Sequence, residues 1–357
     1  MFSRKIVSVR VKEKYSSFLD NKHSTEINPF TNNNPHPENS CFLNTVLQIM
    51  TALKIITDSF NPNKNKLPQV GPYSLLKLYS MDKKLSSSKT LKNIKAPFLV
   101  DQKDFSNGAE IQASLNTIYP LMKENGDKKS LAIQLTSIWE LLEQRGSLSL
   151  YQEQDAEECM GMIFDALNLK VRLLSQLETC GKNHAKISES TVYERPIISV
   201  GITYKKSSKN KYVKSIQEAV TRFFSKEKLI KDNQVEYGKK KVNAYKSFQL
   251  QDKPPFLVVH LKRYKHDKKK EKLENKITSS EFIYIYTKLS GRVKMRLVAI
   301  GHHTLSPKHY IAFKVDDNNT WYKFDDIKSK RDKIGPFKKL PKDIEKKAVL
   351  FLYIPTS

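Results

Sequence analysis

The spacing of apolar residues changes character along this chain, and no single-class fold accommodates both patterns. In the first half they recur at helical intervals. Phe42, Val46, Ile49 and Leu53 step by four, three and four, which lines one face of a helix. Asn39 and Ser40 supply capping side chains in front of it. Leu131, Leu135, Ile138 and Leu142 predict a helix over about 131–144, and Met160, Ile163, Leu167, Val171 and Leu174 another over about 154–175. After Gly181 the pattern is that of strands: Ile197 to Tyr204, Phe256 to Leu261, Met295 to Ile300, His309 to Val315, Thr320 to Phe324 and Val349 to Ile354. Helices followed by strands indicate an α+β protein in which two lobes meet. Residues 1–33 are polar and read as an extension, with one alternating piece, Ile6 to Val11, that predicts a short strand.

Composition narrows the class. The longest apolar runs, Phe256 to Val259 and Ala348 to Ile354, are strand-length and far short of the ~20 residues a membrane span needs. The start, Met-Phe-Ser-Arg-Lys, has no apolar core of a secretory signal. Three cysteines, Cys41, Cys159 and Cys180, cannot build a disulfide framework, which favours a reducing compartment, the cytosol or nucleus. The formal net charge is +26, and residues 205–272 hold 21 Lys/Arg against 7 Asp/Glu. Nucleic acid, acidic lipid or acidic protein are therefore partners to consider. That stretch interleaves few aromatics and carries no zinc-finger or helix-turn-helix pattern, so a solvated lysine-rich surface is the plainer reading.

Cys41 opens a helix, where the dipole and free backbone amides favour a thiolate. A lone cysteine is more often inert core, so position alone does not make it a nucleophile. The segment His309 to Val315 alternates as a strand, Asp316 to Asn319 is turn-like, and Thr320 to Asp326 returns. A four-residue turn sets 315 opposite 320, hence 309 opposite 326 and 310 opposite 325. Either Asp325 or Asp326 then arrives beside His309, as an acid that orients an imidazole must.

Four separated segments resemble the boxes of the ubiquitin-specific proteases. Asn39-Ser-Cys-Phe-Leu-Asn-Thr-Val-Leu-Gln48 is similar to that family's cysteine box, and Gln154-Asp-Ala-Glu-Glu158 to its Gln-Asp-Ala box. Pro254-Pro-Phe-Leu-Val-Val-His-Leu-Lys-Arg-Tyr264 resembles its His-Leu-Lys-Arg strand, and His309-Tyr with Trp321 to Asp326 its histidine box. The likeness spans about residues 34–355. It implies a papain-like fold with a helical thumb (about 34–175), β fingers (about 176–255) and a β palm (about 256–355). It also implies a cysteine protease that hydrolyses the isopeptide bond after the terminal Gly-Gly of ubiquitin, or of SUMO or another ubiquitin-like protein. By resemblance Cys41 is the nucleophile, His309 the general base and Asp325 its orienting acid, with Asp326 an auxiliary polar group. Asp155 and Gln154 would face the arginine-bearing tail of ubiquitin. No cofactor is required.

The sequence departs from the family at several points. The oxyanion position five residues before Cys41 holds His36 instead of Asn, Glu38 replaces a Gly, and Lys308 replaces the Gly before the histidine. His36 is the expected oxyanion donor, with the Cys41 backbone amide or Asn34 after a loop shift as alternatives. The family's finger zinc site takes two Cys-x-x-Cys pairs, whereas Cys180 stands without partner thiols, so no structural zinc is expected. These departures motivate two rival readings: an inactive ubiquitin-binding module, and a protein whose basic surface is its main function. They also suggest a divergent member, one version being a secreted effector acting in host cytoplasm.

Overall fold

The computed structural model describes residues 41–53, 110–111, 113–118, 128–144, 154–167, 169–180, 188–203, 212–230, 233–237, 240–264, 272–305, 308–327 and 331–356. The expected strand at Ile6 to Val11, and His36 and Glu38, lie outside the described residues.

Helix α1 (Cys41–Met50) is buried at every position after Cys41, because it is wedged between other elements instead of lying on a surface. Phe42 meets Trp139 of α2 (Lys128–Gln144) edge to face, with ring centroids 5.2 Å apart. Helix α3 (Ala156–Ala166) also packs on α1, burying Cys159, Met160, Ile163 and Phe164. Asp155 caps α3 by accepting from the Glu157 amide at 2.7 Å.

The helix expected over 154–175 stops at Ala166, and Val171–Cys180 is strand β1. Leu167, Val171 and Leu174 keep a helical interval by coincidence of spacing. Pairing decides otherwise, since β1 lies between β2 (Ser188–Arg195) and β6 (Lys240–Leu250). Two flanking ladders satisfy more backbone than one helix turn, and tertiary context overrides the local pattern.

The remaining elements are β3 (Ile197–Gly201), α4 (Ile216–Phe224), β4 (Glu227–Leu229), β5 (Val235–Tyr237), β7 (Leu257–Lys262), β8 (Phe282–Thr287), β9 (Gly291–Leu305), β10 (Lys308–Val315), β11 (Trp321–Phe324), β12 (Asp332–Gly335), a short α5 (Ile344–Lys347) and β13 (Ala348–Pro355). One sheet runs β12-β11-β10-β9-β8-β6-β1-β2, with β13, β7 and β3 joined through β9 and with β4 and β5 on β6. The 15-residue β9 organises it, pairing with β8 near its start, β13 in its middle and β10 near its end. Helix α1 sits on β9 and β10. A side chain at Gly301 of β9 would put its Cβ 3.1 Å from Ile49 Cδ1 and from Leu350 Cβ, so a methyl there would need those neighbours to give by a few tenths of an ångström.

Arg263 closes the end of β7. It is fully buried and donates to the carbonyls of Ala348, Leu273, Asn275 and Glu345 at 2.7–3.1 Å. Burial lowers its pKa to about 10. Cys180 ends β1 opposite Asn243 of β6. No helix among the described residues is long and apolar enough to cross a membrane.

Candidate active site

Strands β10 and β11 bring the acids to the histidine, though not in the register expected. Val315 pairs with Trp321 and Ala312 with Phe324, one residue off the predicted ladder. The cause is a longer turn, in which the Asp316 amide donates to Thr320 O at 2.9 Å and Asp316 Oδ1 accepts from the Thr320 amide at 2.8 Å. Asn319 takes a left-handed φ of 61°, which asparagine tolerates better than most residues. The ladder therefore ends at Phe324, and Asp325 and Asp326 approach His309 from the turn that follows.

His309 Nε2 lies 2.9 Å from Asp325 Oδ1 and 3.3 Å from Asp326 Oδ1. All three residues are buried. The Cys41 side chain, at the N-terminus of α1, lies close enough to the ring to influence its charge. Burial would favour neutral imidazole, but the bonds to Asp325 and Cys41 and the charge of Asp326 outweigh it and raise His309 to about 10. Burial alone would also raise Asp325. Instead the His309 bond and Lys323 Nζ, 2.8 Å from its other oxygen, hold it well below the usual carboxylate range. Asp326 moves the other way, raised mainly by burial, with Asn44 Nδ2 donating to its Oδ2 at 2.8 Å as partial compensation. The two acids are thus inequivalent.

The ligand atoms of His309, Asp325 and Asp326 lie within 4.8 Å of one another, close enough for a cation. The Lys323 ammonium and the Asn44 amide already take the outer carboxylate oxygens, so the donors fit an internal ion-pair network better than an ion.

Asp155 and Gln154 sit half-buried at the start of α3. Tyr310, next to His309, connects the two regions: its hydroxyl meets the Ala156 backbone, and it senses the charge of both Asp155 and Cys41. Beside it, Glu157 Oε1 accepts from Ser199 Oγ at 2.9 Å and lies 3.7 Å from His260 Nδ1. Burial lowers the His260 pKa. Cys159, expected to be core, is fully buried, and desolvation raises its thiol far above the usual value.

Sequence reasoning assigned no role to Asn44, Lys323 or Tyr310. Asn44 follows Cys41 by three residues and so shares its helix face, and Lys323 precedes Asp325 by two at the end of β11. Both spacings were readable signals. Contact between Tyr310 and α3 depends on tertiary packing, and nothing local announces it. His36 lies outside the described residues, and of Lys308 only the strand position is described.

Two solved structures share this architecture. A SAGA DUB module of Ubp8, Sgf11, Sus1 and Sgf73 bound to monoubiquitin aligns with a TM-score of 0.60 at 18% identity, covering 94% of this chain and 71% of that one. The Ubp8/Sgf11/Sus1/Sgf73 module bound to ubiquitin aldehyde gives 0.59 at 19%, with 94% and 71% covered. At such identities the likeness establishes the fold alone. Among curated proteins, ubiquitin carboxyl-terminal hydrolase 15 of Bos taurus and of Homo sapiens are each 32% identical over 134 residues, 34% of this chain. The match spans only 14% and 13% of those longer relatives. The sequence pattern of the ubiquitin carboxyl-terminal hydrolase family matches residues 33–353. The chain belongs to the ubiquitin carboxyl-terminal hydrolase family.

Proposed function

We propose that this protein is a thiol-dependent deubiquitinase that hydrolyses the isopeptide bond after the C-terminal Gly-Gly of ubiquitin. The observation that carries this reading is a single imidazole held between Cys41 and the buried Asp325. Nε2 of His309 faces the carboxylates, which leaves Nδ1 to serve the thiol.

The attacking species is the Cys41 thiolate, formed as His309 takes the thiol proton. The Cys41 thiolate adds to the carbonyl carbon of the terminal glycine, and the C–N bond to the substrate lysine breaks. The lysine amine takes its proton from His309. Water then attacks the thioester, His309 removes a water proton, and the carboxyl product leaves with the thiolate restored. Asp325 keeps the ring oriented and stabilises its charge in both halves. Asp326, tied to Asn44, sets a second carboxylate oxygen 3.3 Å from the same Nε2. The Cys41 backbone amide and His36 are the donors we assign to the oxyanion, where one donor typically supplies ~2.7–4 kcal/mol.

Asp155 and Gln154 are assigned to the arginine-bearing tail of ubiquitin, where a carboxylate can pair with guanidinium. The division into thumb (34–175), fingers (176–255) and palm (256–355) belongs to the same reading. Arg222, Lys226, Lys228 and Lys246 line one cleft of about 500 Å³ with Phe223 and Phe248. We read that cleft, within the lysine-rich stretch, as a contact for acidic partners separate from the chemistry. A reactive thiol of this kind works in a reducing compartment, the cytosol or nucleus.

The test is reaction of the full chain with a ubiquitin bearing a C-terminal vinyl electrophile, alongside hydrolysis of a ubiquitin C-terminal amide. Labelling and turnover that both vanish in Cys41→Ala support the assignment. Undiminished turnover in that variant overturns it, and tight ubiquitin binding without labelling favours an inactive binding module.

A further inference from the structure

We propose that the tip of the β8–β9 hairpin docks on an anionic lipid surface, independently of the deubiquitinase reading. Alternation along β8 sends Ile283, Ile285 and Thr287 into the core and Phe282, Tyr284 and Tyr286 outward. Opposite them on β9 stand three cations: Phe282 pairs with Arg296, Tyr284 with Lys294 and Tyr286 with Arg292. The Arg292 guanidinium lies 3.9 Å from the Tyr284 ring centroid, and Lys294 Nζ 4.0 Å from that of Phe282. From Phe282 to Arg296 the sequence adds Lys288 and contains no Asp or Glu. Within the hairpin the cations lie against aromatic rings, and the carboxylate at its turn, Asp252 of the loop after β6, accepts from Ser290 Oγ at 2.8 Å.

At the tip the apolar groups change role. Tyr286 is 66% exposed and Leu289 71%, the two most exposed large hydrophobic side chains among the described residues. Lys288 sits between them, and Arg292 and Lys294 stand behind. An apolar, tyrosine-bearing tip with a basic collar is complementary to an anionic bilayer: the tip enters the headgroup region while the collar meets lipid phosphates. Single-stranded nucleic acid is the weaker match. Its bases need open ring faces, and cations already cover those of Phe282 and Tyr284. The outward side chains also end in a convex tip and not a groove.

Docking there sets the orientation of the molecule. From Gly291 to Thr304, the partner of His309, β9 advances about 40 Å at ~3.3 Å per residue. The nucleophile would work well above the bilayer, within reach of a modifier attached to a membrane-associated target.

The experiment is co-sedimentation of the full chain with phosphatidylcholine vesicles, with and without phosphatidylserine, at low and high salt. Binding should require phosphatidylserine and weaken as salt rises. Arg292→Gln with Lys294→Gln should lower partitioning about thirtyfold, from ~1 kcal/mol per cation. Leu289→Ser with Tyr286→Ser should weaken it even at high phosphatidylserine. An unchanged melting temperature certifies that each variant is folded, so the outcome stands whether or not the chain cleaves ubiquitin. Absence of phosphatidylserine-dependent binding, or binding untouched by both double variants, overturns the proposal. So does selective retention on a single-stranded oligonucleotide that the same variants abolish.

Discussion

His302 and His309 occupy neighbouring strands, and both are buried, at 3% and 9% exposure. His302 pairs across the ladder with Ile311, two residues from His309. Their protonation nonetheless runs in opposite directions. The His302 ring packs edge-on to Phe313 at 5.8 Å. Its carboxylate, Asp343, is 3.5 Å away but 46% exposed, and Lys272, Lys323 and Lys347 oppose a proton. Burial dominates there, and the pKa falls to about 4. His309 faces two acids whose side chains are only 10% and 4% exposed. A counter-charge that shares the burial keeps its strength, whereas one wetted by solvent is screened. Burial alone therefore sets neither the sign nor the function of a histidine.

The contrast has opposite consequences for stability. Folded His309 holds its proton more tightly than the ordinary value of 6.5, so its contribution is whole below about pH 6.5 and is lost as pH climbs through about 10. Asp325, held below its ordinary 3.8, contributes above about pH 4 and loses this as acid protonates it. For His302 the unfolded chain takes the proton first, so stability is lost as pH falls from about 6.5 to about 4.

The sharpest way to break the comparison is at the thiol that only His309 touches. Cys41→Ala should cut hydrolysis of a ubiquitin C-terminal amide by at least about 10,000-fold, while His302→Phe should leave it within about twofold. Equal losses in the two variants would mean that both imidazoles serve the chemistry. Next is Asp325→Asn, expected to lower kcat/KM about 100- to 10,000-fold and to move the His309 titration downward in a pH–rate profile. A profile identical to wild type would remove Asp325 from its role. Asn44→Ala releases Asp326, and a loss of about tenfold is expected, mostly in kcat. The effect that leaves catalysis untouched belongs to His302→Phe in urea unfolding: the stability of the variant relative to wild type should be about 2 kcal/mol more favourable at pH 5 than at pH 7. No gain at pH 5 would place the His302 proton elsewhere.

Legibility in the sequence followed the range of the forces involved. Helix α1 was readable because its apolar spacing and its Asn-Ser entry are local. The order of strands β9, β10 and β11 was readable from alternation and a turn. The overrun of α3 into β1 was not, since Leu167, Val171 and Leu174 keep a helical interval and only the ladders with β2 and β6 decide otherwise. Strand β6 carries Lys240, Lys241 and Lys246 and looks like a charge run; half-exposed positions between two partners make it a strand. In the site, Cys41, His309 and the two acids were visible as a set. The choice between Asp325 and Asp326 came from family likeness, because the hairpin register left the two interchangeable. What separates the acids physically is Lys323 on one and Asn44 on the other.

Gly301 deserves a mechanical reading. It touches no reacting atom, yet Ile49 rests 3.1 Å from where its Cβ would be, eight residues along the helix from Cys41. At ~1.5 Å per residue that is a rigid arm of about 12 Å, pressed down at one end and carrying the sulfur at the other. A methyl group at position 301 would act as a shim under the arm. Tilting it by a few tenths of an ångström at Ile49 changes the gap between sulfur and imidazole, and misplacement by 1 Å can cost about 100-fold in rate. The distance between this helix and the sheet is thus set in part by a missing side chain.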